Sequence, residues 1–158
     1  SKWRDAWLSV WLTNLAVAAI VLVMGLTIGY GAFFLVQLPV TLVACSIGVW
    51  LFYVQHQFEK AYWHHHDKWN YFDAALEGSS HLVLPRPLQW LTASIGIHHV
   101  HHLNASIPNY KLEACMNSSP ELQRAQKITI RGSWNLLRLA LWDEETEEMI
   151  SFRQLAMR

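Results

Sequence analysis

An all-α integral membrane fold, a transmembrane helical hairpin carrying a cytoplasmic histidine-rich helical cap, is what this sequence predicts. Three observations point to it. Residues 6–58, bracketed by Asp5 and Glu59, contain no Asp, Glu, Lys or Arg. The turn-rich Gly29-Tyr30-Gly31-Ala32 divides that stretch into residues 7–28 and 33–54. Each half is about 22 residues long, where about 20 suffice to cross a hydrocarbon core of about 30 Å. Finally, all 9 histidines fall between His56 and His102.

Composition narrows the function classes. The 158 residues are 53% hydrophobic and 15% charged, well below the usual charged fraction of soluble domains, and one domain is the ceiling. Lys+Arg 12 balance Asp+Glu 12 with no basic block, which excludes a nucleic-acid binder. Cys45 and Cys115 have no ligand-like spacing, so neither a disulfide framework nor a thiolate metal site follows. A secretory signal is ruled out because the apolar segment is too long and no small-residue cleavage site ends it.

Taken in order, residues 1–6 form a lead-in, residues 7–54 the hairpin and residues 55–158 the histidine-rich cap. Lys2 and Arg4 before the first span, and Lys60 and Lys68 after the second, put both outer ends on the cytoplasmic side. Trp3, Trp7 and Trp11 recur at one end of the first span, and Trp50, Phe52, Tyr53 and Trp63 gather at the matching end of the second. These are either interfacial anchors or helix packing. Pro39 loosens one hydrogen bond within the second span, which membrane helices tolerate. Beyond it, Gly78-Ser79-Ser80 and Pro85-Arg86-Pro87 interrupt the chain. The apolar run at 88–97 is too short to span, so it reads as an interfacial or re-entrant segment that delivers His98 to the membrane surface. Ser119-Pro120-Glu121 opens a helix, and residues 133–142 carry Trp134, Leu137 and Leu141 on one helical face.

The sharpest local signal is Gly96-Ile97-His98-His99-Val100-His101-His102-Leu103, with an H-x-x-H-H pattern at His98, His101 and His102. On a helix, spacings of three and four residues share a face, so one metal takes two or three of these imidazoles. Neutral imidazole suits Fe, Zn, Cu and Ni, and the set alone does not choose among them. His99 points about a quarter turn away and is either a ligand or a supporting group. His56 stands where the second span leaves the membrane, and the hairpin returns it to the face of His98. Glu59 either orients His56 or is simply the first solvated charge. His64, His65 and His66 read as a solvated juxtamembrane turn, and His81 as a lone polar side chain.

These residues resemble the membrane fatty acid desaturases, specifically the acyl-lipid branch that includes omega-6 desaturases. The resemblance rests on residues 50–59 (Trp-Leu-Phe-Tyr-Val-Gln-His-Gln-Phe-Glu), on Ala75-Leu76-Glu77-Gly78-Ser79-Ser80, on Gly96 through Leu103, on Ile107-Pro108-Asn109-Tyr110 and on Leu141-Trp142-Asp143-Glu144. It implies a non-haem di-iron centre with His98, His101 and His102 as ligands and His56 as the extra ligand outside the boxes. Members of that family carry two further histidine boxes upstream, whereas this chain has no histidine before His56 and begins at Ser1. The expectation is therefore a C-terminal fragment holding about half of the ligand set.

The resemblance further implies an O2-dependent oxidoreductase that places a double bond in a fatty acyl chain at the bilayer, with electrons from a ferredoxin or a small haem carrier. The rival readings are a di-iron hydroxylase or ketolase, and a non-catalytic membrane protein that holds a metal. Cysteine accessibility labelling at Gly31 and at Asn104 is expected to report opposite sides of the membrane. Labelling from the same side at both positions rules out the hairpin topology.

Overall fold

The computed structural model describes the backbone of residues 2–158 and the side chains from Ala6 onward. Ser1 and the side chains of Lys2, Trp3 and Arg4, on which the lead-in and part of one aromatic anchor rest, lie outside the described residues. The chain divides into two compact units, residues 1–48 and 49–158.

The first unit consists of α1 (Lys2–Ile28) and most of α2 (Tyr30–His56). The corner is Gly29 alone, at φ 88°, a left-handed conformation that glycine adopts without a Cβ penalty. Tyr30 and Gly31, expected in the turn, are already helical. Among the described residues of this unit only Gly25 and Phe33 are buried, while apolar side chains such as Leu15 (63%) and Leu35 (77%) are exposed. The two helices thus bury little of their apolar surface against each other. The Tyr30 ring fills the space over Gly25, and the helices meet beside the corner instead of along their lengths. Close association of apolar helices needs seams of small residues, and bulky rings stand at this contact instead.

The second unit begins with the last two turns of α2. It continues through α3 (Tyr71–Glu77), β1 (His81–Val83), α4 (Arg86–Leu91), α5 (His98–Leu103), α6 (Leu112–Met116), β2 (Lys127–Thr129), α7 (Ile130–Leu136), β3 (Leu141–Asp143), β4 (Glu148–Ile150) and α8 (Phe152–Leu155). The cap is therefore not purely helical. β1 and β2 pair in parallel with Leu82 opposite Ile128, both buried, and β3 and β4 form an antiparallel hairpin. Its turn is built by Asp143, whose carboxylate accepts from the Glu145 N–H and the Thr146 hydroxyl and pairs with Arg158 at 2.5 Å.

The expected tail helices are shorter than the sequence pattern predicts. Ser119-Pro120-Glu121 opens only a single 3-10 turn at Glu121–Gln123, and α7 ends at Leu136. Leu141 lies in β3, while Trp134 and Leu137 are exposed and Leu136 and Leu139 are buried in their place. Tertiary packing selects the face that reaches the core, and it overrides the helical spacing.

One core joins these parts. Val54 at the end of α2 and Phe58 just beyond it pack with Leu82, Leu84, Ile128, Leu136 and Leu139, with Trp50 and Leu51 against them. Trp50 therefore packs into protein, and the Tyr53 hydroxyl donates to the Leu139 carbonyl, whereas Phe52 stays exposed. A second cluster, Ile97, Val100 and Leu112, lies behind α5. The apolar run at 88–97 becomes α4 followed by Ala93 and Ser94 at positive φ, which turn the chain towards Gly96. Gly96 lies so close to the Leu82 carbonyl that a Cβ has no room there. That approach brings the start of α5 against β1.

Leu82→Ala is expected to lower the unfolding free energy by about 2–5 kcal/mol, as removal of a fully buried leucine does. Leu91→Ala, at an exposed position, is expected to change it by no more than about 0.5 kcal/mol. Denaturant unfolding in detergent micelles measures both, and equal effects contradict the placement of the core.

Candidate metal centre

The last turn of α2 and the first turns of α5 meet at three histidines. Ligand atoms of His56, His98 and His102 all lie within 4.8 Å of one another. The ring centroids of His98 and His102 are 4.5 Å apart, and His56 is 4.9 Å from the first and 5.3 Å from the second. The spacing of four residues within α5 puts His98 and His102 on one face, as the sequence predicts. His56 comes from 42 residues before His98, through the packing of Val54 and Phe58.

The rings of His56 and His102 have specific partners. His56 Nδ1 lies 2.8 Å from the Phe52 carbonyl, one turn back on α2, so Nδ1 carries the proton and donates it there. The lone pair of His56 Nε2 then faces His102 Nε2 at 3.1 Å. The Tyr71 hydroxyl lies 2.7 Å from the His102 carbonyl and 3.0 Å from that of Leu103, and so holds the end of α5. His98 Nδ1 is buried with no partner among the described residues.

Burial pushes the His98 imidazole down to about 3, and the neighbouring His102, His56, His101 and His99 add to the shift. His102 is lowered as well, by burial and then by His56 and His101. These two rings are neutral at physiological pH and have lone pairs to give. The donor set fits a metal ion by geometry and by chemistry. Two nitrogens about 2.1 Å from a first-row metal and at ordinary ligand angles lie about 3.0–3.4 Å apart, which brackets the His56–His102 separation. The unpartnered His98 nitrogen is the kind of atom an ion satisfies.

The other histidines fall elsewhere. His101 stacks on His98 with centroids 5.7 Å apart and planes at 19°, outside the close trio. His99 is fully buried on the other side of α5, where its Nε2–H donates to the Leu122 carbonyl at 2.7 Å, near His81. It supports α5 from behind and stays out of the trio. Glu59 is exposed, and the Phe52 carbonyl takes the orienting role considered for it. His64 packs edge-on against Tyr62, while His65 packs against Trp63 and lies 3.8 Å from Glu144. His66 is exposed. Phe52, Tyr71 and Gln55 carry no sequence signal of their roles, because the hydrogen bonds involved run to backbone carbonyls.

The profile of the family described as fatty acid desaturase matches residues 1–134. A fatty acid desaturase of Bacillus subtilis (strain 168) is 47% identical over 152 residues, which cover 96% of this chain and 43% of that protein. The sn-1 oleoyl-lipid 12-desaturase of Picosynechococcus is 30% identical over 106 residues, 64% of this chain and 30% of that protein. A chloroplastic omega-6 fatty acid desaturase of Arabidopsis thaliana is 30% identical over 95 residues, 57% and 21% respectively. The chain thus spans less than half the length of these curated relatives. No solved structure matches it.

The neutral imidazoles make acid destabilising. Folded His98 takes its proton near pH 3, whereas an ordinary imidazole takes it near 6.5, so between these values the unfolded chain binds more protons. Half-buried His81, lowered to about 4 by burial and then by His99 and Lys127, acts in the same direction. The metal-free chain is expected to lose melting temperature steadily as pH falls through this window and to keep it above pH 6.5. Circular dichroism melts across a pH series test this, with His98→Phe flattening part of the slope. A melting temperature that does not fall with acid contradicts the neutral cluster.

Proposed function

The chain belongs to the fatty acid desaturase family, and from that premise we propose that it supplies histidine ligands to a non-haem di-iron centre that desaturates acyl chains at a membrane. The observation that carries this reading is the convergence of His56, His98 and His102 from two separate helices. His101 joins them as a fourth ligand, on the strength of its place in H-x-x-H-H and its stacking on His98. When bound, such a centre uses O2, two electrons and two protons to remove two hydrogens from adjacent methylenes, leaving a double bond and two waters.

What this chain's own residues contribute is orientation. His56 is aimed by the Phe52 carbonyl, and α5 is held from one end by Tyr71 and from behind by His99. Burial keeps the imidazoles of His98 and His102 unprotonated, so the ligand set is ready at neutral pH. Electrons come from a ferredoxin or a small haem carrier. Acyl lipid is the substrate class that the family supports.

The membrane is the environment of the first unit in this reading. Residues 6–28 and α2 are long and apolar enough to cross a bilayer, and nearly all their side chains are exposed, which is stable in lipid and not in water. Two crossings return the chain to the side from which it started, and the flanking Lys and Arg make that side cytoplasmic. The helices that bear the histidines then lie at the cytoplasmic surface.

The test is a transplant. This chain replaces the matching stretch of the Bacillus subtilis relative in a desaturase-free host, and unsaturated acyl product and bound iron are measured. Desaturation by the chimera is expected. Alanine at His56, His98, His101 or His102 is expected to abolish it, by at least about a hundredfold, and to lower bound iron. His64→Ala is expected to retain most of the activity. A hydroxylated product, or bound zinc with no turnover, contradicts the reading, and an active His98→Ala chimera contradicts the ligand assignment.

A further inference from the structure

The trio depends on two turns of chain that are distant in sequence, and one side chain ties them together. Gln55, next to His56, is 1% exposed, a rare degree of burial for a primary amide. Its Nε2–H donates to the Ile95 carbonyl at 3.0 Å, three residues before His98. Its own backbone carbonyl accepts from the Ser80 N–H at 2.9 Å, and the Ser80 hydroxyl donates to the Val54 carbonyl at 3.2 Å. From Ser80 the chain runs straight into β1, where Leu82 N–H donates to the Gly96 carbonyl at 2.9 Å and His81 bridges Ile97. Residues 80–82 are thus bonded on one flank to the turn that carries His56 and on the other to the turn that leads into His98. Gln55 closes this loop directly.

We propose that Gln55 is a positioning residue of the metal centre, setting the distance between His56 and His98 by clamping the end of α2 to the Ile95 carbonyl. The inference rests on the reading of these histidines as metal ligands. A carbonyl within an irregular turn needs a donor, and residues 92–97 have no regular ladder to supply one. An apolar side chain of the same size fills the volume of Gln55 but leaves Ile95 unpaired and the two turns free to shift. A shift of an ångström between ligands is what weakens a metal site while leaving the core intact, and loss of an orienting partner typically lowers metal affinity 10–100-fold.

The test compares Gln55→Leu, Gln55→Met, His98→Ala and Ser133→Ala in the full chain held in detergent micelles, with Co(II) as the spectroscopic probe. Ser133 is the matched control: it is fully buried and donates one hydrogen bond, to Ile130 on α7, with no part in the histidine turns. The Gln55 variants are expected to keep the wild-type helix signal, to bind Co(II) about 10–100-fold more weakly and to shift its visible absorption bands. Ser133→Ala is expected to bind as wild type does. Wild-type affinity and spectrum in the Gln55 variants, with binding lost in His98→Ala, overturn the positioning role alone. Equal losses in Gln55 and Ser133 variants, or loss of helix signal in both Gln55 variants, reduce Gln55 to a general core residue and overturn it too. Binding unaffected by His98→Ala overturns the metal centre itself.

Discussion

The constraint on which the second unit depends is that a buried turn must have every backbone polar group paired. The end of α2 and the start of α5 come together where no long sheet or helix ladder is available. The gap is filled by a three-residue strand, a serine whose N–H and hydroxyl serve successive carbonyls, and one amide side chain. Each bond is individually modest, of the order of 1 kcal/mol net, but an unpaired buried carbonyl costs more than the bond contributes. The segments therefore have few alternative ways to meet. The histidines inherit their spacing from that lack of alternatives.

Much of this was legible in the sequence, and the boundary of what was not has a physical origin. Charge-free residues 6–58 betray two long apolar helices because lipid excludes charge, and H-x-x-H-H betrays a helical face because α-helix periodicity is local. His56 was legible as a partner of His98 only through its place at the end of the second span and its resemblance to the extra family ligand. The sheets were not legible: His81-Leu82-Val83 and Lys127-Ile128-Thr129 are three residues each, and what makes them strands is a partner more than forty residues away. The tail fails for the same reason. Trp134, Leu137 and Leu141 have helical spacing, yet Leu136 and Leu139 reach the core.

The two units bury their apolar side chains to different extents. In the second unit, apolar side chains such as Phe58 and Leu82 are almost wholly covered, because removal from water stabilises them. In the first, Leu35 and Leu42 are exposed although the helices are as apolar as any core. A hydrocarbon surrounding would remove the incentive to bury leucine against leucine. The backbone of each helix already satisfies itself, so neither needs the other in order to persist.

The donor set completes the argument from chemistry. All the close ligand atoms are imidazole nitrogens, and the two cysteines stay away: Cys45 is exposed on α2, and Cys115 lies against the Ile97 and Val100 cluster. An oxidising centre built on thiolates places readily oxidised sulfur next to its own reactive chemistry, whereas imidazole has no comparable oxidation ladder. Neutral imidazoles also crowd without the repulsion that charged groups suffer. Three of them share a space under 5 Å because burial keeps His98 and His102 unprotonated. The burial that costs the fold its stability in acid is therefore what lets the three imidazoles stand within 4.8 Å of one another.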